Sequence, residues 1–157
     1  MTINPDLQGR SYPAKEVYDV GREKIREFAR AVKATHPAHF EVEAAAALGH
    51  SDLVAPPTFA IIVAQRADAQ LIEDPDSGID FSRVVHADQR FIHHRPIVAG
   101  DRLVAELHVD GVRAMGGGAM ITTRSEIFAL PAGAADDAGR EAVATATSSI
   151  LVRGEGQ

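Results

Sequence analysis

From Arg102 the chain alternates between apolar and polar positions. In "DRLVAELHVDGV", Leu103, Ala105, Leu107 and Val109 fall on one side and Arg102, Val104, Glu106, His108 and Asp110 on the other, the period of a half-buried strand. Similar runs lie at Val84 to His94, Met120 to Phe128 and Ala142 to Val152. The segments between them, "RPIVAGD", "RAMGGG" and "PAGAADDAGR", carry turn and loop chemistry. The second half therefore predicts an antiparallel sheet.

The first half has the other period. In "GREKIREFARAVK", Ile25, Phe28, Ala29 and Val32 recur at i, i+3, i+4 and i+7, which predicts an amphipathic helix that Pro37 ends or interrupts. "EVEAAAALG" predicts a short helix stopped by Gly49. "APPTFAIIVAQRADAQLI" opens on two prolines, one suited to a first helical turn, and is apolar without interruption from Phe59 to Ala64. A helix apolar all round must be enclosed by other structure, and "DPDSGID" after it is a turn-rich link to the strands.

One enclosed helix followed by antiparallel strands is an α+β plan in which the sheet wraps around the helix, a hot-dog fold. At 157 residues the chain holds one domain, 1–157, with 131–140 as a mobile loop, since the stretch beyond that loop is too short to fold alone.

Composition narrows the chemistry. With 22 acidic against 16 basic side chains the formal charge is -6, which disfavours nucleic acid and anionic membranes as partners. The chain has no cysteine, which excludes disulfides, thiolate metal sites and a thiol nucleophile. No segment has the roughly 20 apolar residues a membrane span needs, and "MTINPDLQGRSYP" is no secretory signal, so a cytoplasmic location is expected. "AMGGGAM" is a hairpin connection rather than a phosphate loop, because no Lys-Ser/Thr comes after the glycines and a strand is next.

The stretches "VGREKIREFARAVK", "HPAHFEVEAAAALG", "LVAPPTFAI" and "VVHADQRFIHHRPIVAGDRL" resemble the MaoC-like dehydratases. They are most similar to the N-terminal-type hot-dog domain found in accessory subunits of actinobacterial (3R)-hydroxyacyl-ACP dehydratases. The resemblance runs roughly from Gly9 to Val152 and is most specific in "HADQRF...HRPIVAGD". It implies a 3-hydroxyacyl or trans-2-enoyl chain held as a thioester on CoA or acyl carrier protein, and no cofactor.

Dehydrating such a thioester takes a base for the α-proton, an acid for the leaving hydroxyl, and donors for the enolate-like oxygen. Catalytic members of the family use an Asp and a His in G-D-x-N-P-x-H. With the proline matched to Pro37 the stretch reads "KATHPAH": His39 takes the place of the catalytic histidine, Ala34 that of the aspartate and His36 that of the asparagine. Half of the acid/base pair is missing, and Asp52 and Glu41 are the nearest carboxylates in sequence. A His-Gly pair opens the central helix in catalytic members, and its glycine N–H is implied to bind the thioester oxygen. That glycine falls on Pro57, which has no N–H, although a shift of one residue would put Pro56 or Thr58 there.

Other positions carry weaker readings. Phe59 and Ile62 are core positions that the resemblance also places beside an acyl tail. His93 and His94 are adjacent in a strand and point apart, so no metal site is expected. By alternation Asp88 shares a face with His86 and His94, and Gln89 with Phe91 and His93; Gln89 is a substrate or interface candidate if its face is the inner one.

Three functions are implied by the resemblance. The first is a substrate-binding or accessory subunit whose catalytic hot-dog partner brings the Asp and His. The second is an active homodimeric (R)-specific enoyl-CoA hydratase using His39. The third is an acyl-thioester binding protein without catalysis. Each implies a second protomer, identical or not, and acyl-CoA or acyl-ACP as ligand; the basic cluster Arg22, Lys24 and Arg26 is where an acidic carrier protein would dock.

Overall fold

The computed structural model describes residues 2–133 and 139–155, so positions 134–138 of the expected loop at 131–140 lie outside the described residues. Two short strands, β1 (Ser11–Tyr12) and β2 (Tyr18–Asp19), precede the helices α1 (Arg22–Ala31), α2 (Val42–Ala47) and α3 (Ile61–Ile72). Then come the long strands β3 (Val84–His93), β4 (Arg102–Met115), β5 (Gly118–Ala129) and β6 (Glu141–Val152). They make one antiparallel sheet in the order β1-β4-β5-β6-β3, with β2 also paired to β4. The sheet curls around α3, the hot-dog arrangement that the change of period predicts.

The core sits between α3 and the concave face of the sheet. Val63, Ala64, Ala67 and Leu71 of α3 are buried in one cluster with Leu103, Leu107, Ile121, Ile127 and Val143. Burying each large aliphatic side chain contributes roughly 1.5–3 kcal/mol, which is what keeps so apolar a helix inside. Val104 departs from the alternation: it is buried on the outer face, opposite Phe128 of β5. The hairpin between β4 and β5 turns on Gly116 and Gly117, both at positive φ, as a two-residue turn matching the twist of the strands requires. Gly118 cannot carry a side chain, because a Cβ there would collide with the Val152 carbonyl oxygen.

The helix ends differ in part from expectation. α1 stops before Pro37 is reached: Lys33 turns to φ 59°, and the Ala34 N–H bonds to the Ala29 carbonyl at 2.8 Å, a Schellman closure built on lysine instead of glycine. Val32 consequently lies outside the helix and is 46% exposed instead of extending the apolar stripe. α2 ends as predicted, on Gly49 at φ 89°. α3 starts at Ile61, so the two prolines belong to the turn before it and not to its first turn. The N-terminal strands and the buried Leu7 are additions that a two-residue strand cannot announce in a sequence.

A bulge in β3 changes which side chains face inward. The register passes from His86 opposite Ile150 to Asp88 opposite Ser149, leaving Ala87 unpaired. One extra residue reverses the alternation, so His86 joins Gln89 on the concave face and Asp88 turns outward. The simple alternation had grouped His86 with Asp88 and His94; instead, the His86 Nε2–H donates to Gln89 Oε1 at 3.1 Å.

Candidate functional site

His39 is fixed by the backbone around it. It closes a 3-10 turn, Pro37–His39, whose start is capped by His36: the Ala38 N–H donates to His36 Nδ1 at 3.1 Å. The Val54 N–H bonds to the Ala38 carbonyl at 3.0 Å, and His39 Nδ1–H donates to the Val54 carbonyl at 2.6 Å. With Nδ1 carrying the proton, Nε2 is the ring nitrogen left to work on a ligand.

The Val54 carbonyl is itself held from below. Leu53 and Ala55 pair with Ala99 and Ile97 at 2.9 and 2.8 Å, and the loop carrying Ile97 is closed by a two-pronged ion pair of Arg95 with Asp101 at 2.8 and 3.0 Å. Asp101 also accepts the Val98 N–H at 2.9 Å. The second half of the stretch most specific to the resemblance, "HRPIVAGD", is thus a clamp that sets the carbonyl on which His39 hangs.

Neither carboxylate near in sequence completes a pair with His39. Asp52 is gripped by Arg22 through both oxygens at 2.9 Å, and it accepts the Leu53 N–H at 2.7 Å. The Arg22 guanidinium holds the Asp52 carboxyl below the usual carboxylate range, so it carries no proton to give near neutral pH. Glu41 sits at the start of α2 without capping it. Ala34, at the place of the family's aspartate, spends its N–H on closing α1.

The turn before α3 offers one donor among the positions in question. The Phe59 N–H bonds to the Pro56 carbonyl at 2.9 Å. Pro56 and Pro57 have no N–H, and the Pro57 carbonyl accepts His93 Nε2–H at 2.7 Å. The Thr58 N–H has no partner among the described residues, and Thr58 is exposed. Phe59 is fully buried, edge-on to Phe28 at 5.4 Å and to Tyr18 at 6.3 Å, whereas Ile62 is half-buried against the core.

A cavity of about 730 Å³ opens between α3 and the β6–β3 side of the sheet, walled by Ile61, Ile72, Phe81, Val84 and Ile150. Its polar lining includes Asp68, His86 and Ser148. Beneath it runs a row of polar side chains across neighbouring strands: Thr123 lies opposite Ser148, and Ser148 opposite Gln89. Thr123 Oγ1–H donates to Asp68 at 3.0 Å, and Ser148 Oγ–H donates to Gln89 Oε1 at 2.5 Å. Burial pushes the Asp68 carboxyl up to about 6, against the opposing pull of Thr123 and His86.

Asp68 is the residue that sequence reasoning missed. Its signal was present: it lies four residues after Ala64 and three before Leu71, so a charged side chain stands on the buried stripe of α3. The basic cluster, by contrast, loses its force as a docking patch. Arg22 is paired with Asp52, Lys24 with Glu27 at 3.3 Å, and Arg26 with Glu23 and the Phe40 carbonyl.

The FAS1-like, dehydratase domain region family matches residues 6–129. A UPF0336 protein of Leifsonia xyli subsp. xyli is 54% identical over 153 residues, which is 98% of this chain and 97% of the relative. Among solved structures, the C-terminally truncated HadBC complex of Mycobacterium tuberculosis, a (3R)-hydroxyacyl-ACP dehydratase, contains a chain 38% identical with a TM-score of 0.78, covering 93% of this chain and 97% of that one. A MaoC-like dehydratase is 34% identical with a TM-score of 0.80; the match covers 94% of this chain and 42% of that longer one. Among the described residues, no helix is long and apolar enough to cross a membrane.

Proposed function

This chain belongs to the FAS1-like dehydratase-region family of hot-dog proteins, and from that premise we propose that it is the substrate-binding subunit of a (3R)-hydroxyacyl-thioester dehydratase, paired with a catalytic hot-dog subunit. The carrying observation is that His39 is anchored without a carboxylate to complete it: Ala34 stands where the acid would be, and Asp52 is engaged by Arg22. The partner supplies the Asp and His, while this chain supplies the apolar cavity beside α3 for the acyl tail. The edge strand β3, exposed at Val85 and Ile92, is where the second protomer adds to the sheet. The 38% identity to a chain of a heteromeric (3R)-hydroxyacyl-ACP dehydratase supports this reading.

A second reading rests on two further features, one on each side of α2. The free Nε2 of His39 and the open Thr58 N–H are one base and one oxyanion donor, a partial set for a homodimeric (R)-specific enoyl-CoA hydratase. The two readings part on binding and pairing. In the first, the purified chain binds medium-chain 2-enoyl-CoA by calorimetry and forms a heterodimer with a catalytic hot-dog subunit in native mass spectrometry. Failure to bind any acyl thioester overturns it.

A further inference from the structure

The half-buried carboxyl of Asp68 is out of keeping with a cavity built only for hydrocarbon. Seven apolar residues line that cavity, and a methylene chain laid against Asp68 would strip water from the carboxyl and return no hydrogen bond, which is costly. The surrounding bonds define what the cavity lacks. Thr123 donates to Asp68 Oδ1, and Oδ2 has no partner among the described residues. Ser148 spends its hydroxyl hydrogen on Gln89, and Gln89 Oε1 is filled by Ser148 and His86 together. Gln65 and Glu73, which also line the cavity, are exposed to solvent; against the sheet the groups left over are acceptors, the second oxygen of Asp68 and the lone pairs of Ser148 Oγ, lying side by side because Thr123 and Ser148 are cross-strand neighbours.

We propose that this cavity is a subsite for an acyl chain carrying a hydroxyl group remote from the thioester, which donates its hydrogen bond to Asp68 beside Ser148. The proposal rests on the acyl-binding reading above and adds a preference to it: the subunit selects oxygen-bearing chains over plain hydrocarbon ones. The bulge at Ala87 is what brings His86, and with it the filled Gln89 acceptor, to this face.

The test is calorimetric binding of dodecanoyl-CoA and of isomers bearing one hydroxyl at successive carbons of the distal half of the chain, to wild type, Asp68→Asn and Asp68→Leu. At one hydroxyl position the wild type is expected to bind about tenfold or more tightly than it binds the plain chain, as a hydrogen bond to a charged group gives. Asp68→Leu is expected to reverse the order by tightening the plain chain. Binding of all chains with no preferred position overturns the subsite and leaves the acyl-binding reading standing, as does a preference that Asp68→Leu leaves unchanged. Absence of binding by every chain overturns both. If Asp68→Leu does not fold, the wild-type ratio and its loss in Asp68→Asn decide the matter.

Discussion

Replacing Asp68 with asparagine should make the protein more stable, and by an amount that grows with pH. The carboxyl has an ordinary value of 3.8 and is pushed up to about 6 by burial under α3. A difference of about 2 units is worth roughly 3 kcal/mol between the two protonation states, at about 1.36 kcal/mol per unit. Because the folded value is the higher, the folded chain holds the proton more tightly than the unfolded one. The stabilising effect of that proton is full below pH 3.8 and is lost as pH rises through about 6. Asparagine keeps the size and the acceptor for Thr123, and it does not titrate. Any fixed cost of its amide is the same at every pH. The difference in unfolding free energy between Asp68→Asn and wild type should therefore rise by about 1.5 kcal/mol between pH 5 and pH 8, the part of the total that falls in that window. Urea denaturation at several pH values measures it. Parallel stability curves would refute the placement of an ionisable carboxyl in that enclosed site.

Other substitutions probe the supports of the site. Asp101→Ala removes the partner of Arg95 and of the Val98 N–H; it should cost about 2–3 kcal/mol in urea denaturation and broaden the His39 ring signals in NMR as the Val54 anchor loosens. Gln70 Oε1 is a buried acceptor with no donor among the described residues, so Gln70→Leu should stabilise the fold by about 1 kcal/mol, read as a higher melting temperature.

The parts of the fold that local pattern controls were legible. Period-two runs marked all four long strands, and the uninterrupted apolar run marked the helix they enclose. What escaped was set by tertiary pairing. A bulge at Ala87 is invisible to a count of alternating residues, yet it decides that His86 faces the cavity. The Arg22–Asp52 pair joins residues 30 positions apart, and only its formation shows that Asp52 is not waiting beside His39. Lys33 ends α1 in a conformation for which glycine is the usual signal, so Pro37 drew attention that belonged upstream. Asp68 was readable in principle, because a charge on a buried stripe must be accounted for, but it lies beyond the apolar run Phe59 to Ala64, among Gln65, Arg66 and Gln70, where a polar residue draws no notice.

The division of labour between this chain and a catalytic partner is tested most directly by hydration of crotonyl-CoA, followed as the loss of enoyl absorbance, with the purified chain alone and with a catalytic hot-dog subunit added. The chain alone should show no turnover and the mixed complex should turn over, at a rate unchanged when His39→Ala replaces the wild-type chain. Turnover by the chain alone that His39→Ala abolishes would contradict that division, and would make His39 the base of a self-sufficient hydratase.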